Sequence, residues 1–149
     1  LDDIVLRTEV MYGAFLSGVA LMHSGTGPAA AMSYPLSVHY GVPHGIGGGI
    51  FMPYVVRHNI DEGHLDYGNM LPDDLMKNGK DLCDSAEVFY QKLAETWAFL
   101  GVPDTLGGHE IDPNKFISET LELSGALEQN PVIFGREEVA KVLSLACAG

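Results

Sequence analysis

The sequence predicts an all-α helical bundle. Three observations lead there. Several segments repeat apolar residues at helical spacing. No window alternates apolar and polar residues, and no hairpin turn stands between two such windows. Glycine and proline fall mostly between the periodic segments rather than inside them. The 149 residues fit one domain, or one domain of a longer protein. With 46% apolar residues, a chain held unfolded by its own charge is excluded.

Residues 2–23 read as the first helix, with Ile4, Val5, Met11, Phe15 and Val19 in helical register. Its second half is apolar nearly all round, which predicts burial on several sides. Gly13 and Gly18 weaken it as a free helix, so a closely packed neighbour is expected there. Ser24-Gly25-Thr26-Gly27 breaks it, and Pro28 suits the first turn of a second helix over 28–34. Pro35 is expected to kink that helix.

Val42-Pro43-His44-Gly45 reads as a loop entering a third helix that runs to about Arg57, thin at Gly47-Gly48-Gly49. Residues 60–82 are polar and turn-rich, with Gly63, Gly68-Asn69, Pro72 and Asn78-Gly79. A fourth helix is expected over 84–100. Asp84 and Glu87 form a capping-box pattern, and Ala86, Phe89, Leu93, Trp97 and Leu100 line one face. Gly101 and Pro103 stop it. Asp112-Pro113 caps and opens a fifth helix to about Leu123, with Phe116, Ile117 and Leu121 inward. The last helix spans 136–147, with Val139, Val142, Leu143 and Ala146 inward.

Charge is unevenly placed. No Asp, Glu, Lys or Arg occurs in the 47 residues between Glu9 and Arg57. Residues 61–149 hold seventeen of the twenty acids. The uncharged stretch is therefore expected to be largely buried, and the rest to supply the solvated surface. Pro28, Pro35, Pro43, Pro53 and the glycine cluster argue against a membrane span in it. A net charge of −12 with only 8 Lys and Arg excludes a nucleic-acid footprint and makes an anionic membrane a poor partner. Leu1-Asp2-Asp3-Ile4 is acidic where a signal peptide is basic. Cys83 and Cys147 lack CxxC spacing, so neither a zinc site nor a redox pair is indicated, and a reducing cytoplasm is expected.

Chemistry is sparse. Of six histidines, His44 draws most weight, because Pro43 fixes its approach and Gly45 leaves room for a ligand. The alternative is a structural role, in which His44 caps its helix or bonds a backbone carbonyl. His23 and His39 rank lower, and His58, His64 and His109 are expected at the surface. No carboxylate pair of the glycosidase kind lies in the uncharged stretch. No nucleophile elbow and no phosphate-binding glycine loop is present.

At Gly25-Thr26-Gly27-Pro28, Tyr34-Pro35-Leu36, Val42-Pro43-His44-Gly45 and Met52-Pro53-Tyr54-Val55-Val56-Arg57-His58-Asn59, the chain resembles the iron-containing alcohol dehydrogenase family. Leu100-Gly101-Val102-Pro103 and Asn130-Pro131 also match. The resemblance implies that residues 1–149 are the greater part of the family's C-terminal helical, dehydroquinate synthase-like domain. It implies a nucleotide-binding domain elsewhere, NAD(P) and a divalent metal, Fe or Zn, in the whole protein. A small alcohol or aldehyde substrate and a homodimer or higher oligomer are also implied.

The family's metal is usually held by one Asp and three His. His44 matches the ligand of its Pro-His-Gly block, and the Asp and one His would precede Leu1. The remaining ligand position holds Ala30, which cannot bind a metal, and a further family His position holds Tyr34. Met32-Ser33-Tyr34-Pro35 is similar to branches acting on hydroxy acids. A Tyr34 hydroxyl could bond a substrate oxygen or relay a proton there; equally, it could simply pack. Two other readings stay open: a metal-free helical module for binding or oligomerisation, and a hydroxyacid–oxoacid transhydrogenase.

Overall fold

The computed structural model describes residues 2–72, 75 and 81–148. Among the described residues are seven α-helices, one short 3-10 segment and no strand. The helices are α1 (Ile4–Ser24), α2 (Pro28–His39), α3 (His44–Asp61), α4 (Leu82–Leu100), α5 (Pro113–Glu122), α6 (Ser124–Glu128) and α7 (Arg136–Cys147); the 3-10 segment is Asp66–Met70. The expected all-α class is observed. Leu1 and the expected turn at Asn78-Gly79 lie outside the described residues.

The core is built on α2, which carries no Asp, Glu, Lys or Arg, and on α3, which carries them only at Arg57 and Asp61 near its end. α2 and α3 pack along each other, and α5 and α7 close over them. Met32, Leu36, Phe51, Phe116, Val139 and Val142 are almost wholly removed from water. Burying side chains of this size stabilises by about 1.5–3 kcal/mol each. The Phe51 and Phe116 rings meet at 5.9 Å. A second cluster forms where α4 and the 3-10 segment cover the end of α3, around Val56, Ile60 and Ala86.

Both internal prolines are accommodated. α2 runs past residue 34 with Pro35 inside it, because the core face continues to the fully buried Leu36. In α3, Pro53 has no N–H to give the Gly49 carbonyl four residues earlier. The Trp97 indole N–H of α4 donates to that carbonyl at 2.7 Å instead. Two glycines of the cluster, Gly47 and Gly49, sit at close approaches, whereas a Cβ at Gly48 would meet nothing. A Cβ at Gly47 would lie 3.2 Å from the Ser33 Cβ, and one at Gly49 would lie 3.0 Å from Val102 Cγ1.

Several expectations are corrected. α3 ends at Asp61 rather than near Arg57, so His58 turns inward and is buried. α4 begins at Leu82 and is capped by Asp81, whose carboxylate accepts from the Asp84 N–H, not by an Asp84–Glu87 box. Leu100 is exposed rather than inward. The 3-10 segment and α6 were not expected; each is only five residues long.

The largest correction concerns α1. Asp3 caps it, its carboxylate accepting from the Val5 and Leu6 N–H groups. Yet none of its residues is buried. Phe15 is 65% exposed, and a Cβ at Gly13 or Gly18 would meet nothing. The expected burial on several sides is not present within this chain: α1 stands off the body beyond Gly25 and Gly27, both at positive φ. By length and hydropathy α1 is also long and apolar enough to cross a membrane.

Candidate functional site

Residues 40–43 join α2 to α3, and the Ser37 hydroxyl ties this turn down by donating to the Val42 carbonyl at 2.9 Å. Pro43 then delivers His44 as the first residue of α3. The short connection folds α3 back along α2, so His44 returns to residues ten and eleven positions earlier. Its ring lies 4.7 Å from the Tyr34 ring, tilted by 46°. Its Nδ1 lies 2.7 Å from the Ser33 hydroxyl oxygen. The same hydroxyl oxygen is 2.7 Å from the Ala30 carbonyl. Ser33 is fully buried, whereas Tyr34 is 48% exposed and His44 is exposed. Ala30 and Tyr34 are one turn apart on α2 and so share a face.

The two site residues expected from sequence are therefore brought together. Ser33, which completes the cluster, was not singled out. Its only advance signal is its place in the Met-Ser-Tyr-Pro run. Neither the Tyr34 hydroxyl nor the His44 Nε2 has a hydrogen-bond partner among the described residues. The body also carries grooves away from this pair. One of about 530 Å³ is lined by Tyr54, Tyr90, Trp97 and Pro103. Tyr34 and His44 sit on an open surface instead.

The donor set can be tested against a divalent metal. A neutral imidazole with an unpartnered Nε2 fits as one ligand. No group of three or more His, Cys, Asp or Glu that could hold a metal occurs among the described residues. The side chain at Ala30 offers no donor. A metal at this surface would need ligands from outside the described residues.

The other histidines do not join the site. His23 is exposed on α1. His39 is within 2.8 Å of Glu119 and links α2 to α5. His58, expected at the surface, is buried against Phe134; its Nε2 lies 3.2 Å from the Ile133 carbonyl and its Nδ1 has no partner. His64 stacks edge-on with Tyr67, and His109 is exposed. The Arg57 hydrogen bond holds the Glu87 carboxyl below its usual range, while burial pushes the Tyr54, Tyr67 and Cys147 groups up.

Known proteins supply the context. The family description "Fe-containing alcohol dehydrogenase family, C-terminal" matches residues 1–147, so the match runs through α1. The 1,3-propanediol dehydrogenase of Citrobacter freundii is 26% identical over 97% of this chain and 38% of its own length. Long-chain-alcohol dehydrogenase 1 of Geobacillus thermodenitrificans is 24% identical over 99% of this chain and 38% of its own. The lactaldehyde reductase of Escherichia coli is 34% identical over 53 residues, 36% of this chain and 14% of its own length. A crystal structure of 1,3-propanediol oxidoreductase shares the fold with a TM-score of 0.65 at 21% identity, over 80% of this chain and 32% of that one. The chain thus spans less than two fifths of the length of the first two of these relatives.

Proposed function

The chain belongs to the iron-containing alcohol dehydrogenase family, matching its C-terminal part, and from that membership we propose that it is the helical part of a nicotinamide- and metal-dependent oxidoreductase acting on a small alcohol or aldehyde. The observation that carries the reading is the meeting of Tyr34 and His44 at 4.7 Å, both with unpartnered polar atoms. When bound, a divalent metal would supply Lewis acidity toward a substrate oxygen, and the nicotinamide would supply or take the hydride.

His44 would give one ligand through Nε2, and the remaining ligands would lie outside these residues. Tyr34 would hydrogen-bond the substrate oxygen or pass on its proton, since a phenol both donates and accepts. Pro43 and the Ser37–Val42 bond would hold His44 at the entry of α3. The open surface around the pair would be closed by the part of the protein that carries the cofactor.

The test is metal analysis and alcohol turnover in the full-length protein, with and without His44→Ala. The expected result is a metal in the unmodified protein and a fall in metal affinity of more than about 100-fold in the variant, since even groups behind a ligand are worth about 10–100-fold. Unchanged metal content and turnover would reject His44 as a ligand. Ala30 favours a second reading, in which the family fold is kept without the metal for binding or assembly. A full-length protein that binds no metal before any substitution would support that reading over the first.

A further inference from the structure

We propose that Ser33 is a positioning residue that fixes the tautomer of His44, placing the ring proton on Nδ1 and leaving the Nε2 lone pair open toward the surface. The argument counts protons. A serine hydroxyl carries one hydrogen and can accept through two lone pairs. The Ser33 oxygen lies 2.7 Å from the Ala30 carbonyl oxygen and 2.7 Å from His44 Nδ1. A carbonyl oxygen only accepts, so a contact this short between two oxygens requires a hydrogen between them. The single Ser33 hydrogen is therefore used on Ala30, and the hydroxyl can only accept from His44. Nδ1 must then carry N–H.

Burial closes the alternatives. Ser33 is fully excluded from water, so no solvent molecule replaces either partner. The contact also depends on α3 approaching α2 closely at Gly47, where a Cβ would lie 3.2 Å from the Ser33 Cβ. Tyr34 against the ring restricts its turning. A metal ligand or an acceptor for a hydroxyl proton needs a bare ring nitrogen, and the nitrogen left bare is set by the bond that the other one makes. Ser33 makes that bond here, and the metal side of the inference rests on the functional reading above.

The test reads the tautomer directly, by long-range proton–nitrogen NMR on this chain with ¹⁵N-labelled histidine, at a pH where the ring is neutral. The expected spectrum has a pyrrole-type Nδ1 and a pyridine-type Nε2 for His44. Ser33→Ala should move the ring toward the Nε2–H form, and Ser33→Thr should restore the Nδ1–H form. A ring already protonated on Nε2 in the unmodified chain overturns the proposal, whether or not a variant folds. So does a Ser33→Ala chain that keeps Nδ1–H. In the full-length protein, Ser33→Ala should weaken Co²⁺ binding by about 10–100-fold. Unchanged Co²⁺ affinity, where His44→Ala does lose the metal, would overturn the positioning role. Unchanged metal in His44→Ala together with the expected tautomer would reject the ligand reading alone and leave the Ser33 assignment supported.

Discussion

Asn59 is 1% exposed, and its side chain reaches the nearby Tyr67 and the distant Asn130. Its amide N–H₂ donates to the Tyr67 hydroxyl at 2.7 Å and to Asn130 Oδ1 at 2.9 Å, while Asn130 Nδ2 donates back to Asn59 Oδ1 at 2.8 Å. The paired amides join α3 to the loop before α7. Asn59→Ala strands the buried half of this exchange, so it should cost about 1–3 kcal/mol. A lowered urea midpoint with an unchanged slope would show it. The sequence placed both residues in blocks that resemble a known family, yet periodicity alone could not show that they touch, because nothing local encodes a partner 71 positions away. The same limit explains His58. Its burial follows from α3 continuing in the register of Phe51 and Val55, and the polar composition after Arg57 concealed that continuation. Tyr34 and His44 were more legible, because a short turn with proline and glycine leaves two helices few ways to meet.

At the scale of elements, the long helices were legible wherever one apolar face ran uninterrupted, as in α5 and α7. The 3-10 segment and α6 carry too few residues to show a period. The start of α4 was misplaced because Asp81 and Asp84 both suit a cap, and only the backbone decides between them. The Trp97 bond to Gly49 was invisible for another reason: it answers a defect made by Pro53 in a different helix.

α3 and α4 are also joined by charge. Arg57 Nη1 lies 2.6 Å from Glu87 Oε2, Nη2 lies 2.9 Å from Asp61 Oδ1, and the guanidinium sits over the Tyr90 ring. Arg57 lowers the pKa of Glu87 in the folded chain. The contribution of Glu87 is therefore present above the unfolded glutamate range, about 4.3, and is lost as the pH falls through its lowered folded value. Both side chains are partly solvated, so the pair is worth about 0.2–1 kcal/mol. Glu87→Gln should destabilise by that amount near neutrality, measured in urea melts. The difference should vanish in acid, below the folded pKa; a difference that persisted or grew there would contradict the assignment.

For the whole molecule, the uncharged stretch divides in two. Its later part, α2 and most of α3, forms the core, as the charge pattern suggested. Its earlier part lies on α1 and faces solvent along its whole length, because burial is a property of what packs nearby and not of the helix itself. The family match covers α1 together with the rest. A helix without tertiary support is held only by its own backbone bonds, and in water such helices are marginal. Gly13 and Gly18 weaken this one further, by about 1 kcal/mol each relative to Ala. In a deuterium-labelling experiment on the isolated chain, amides of α1 should therefore trade their protons orders of magnitude faster than those of α2, α3 and α7, which open only with the core. Slow labelling of α1 that speeds up on dilution would instead reveal that copies of the chain shelter one another's first helix.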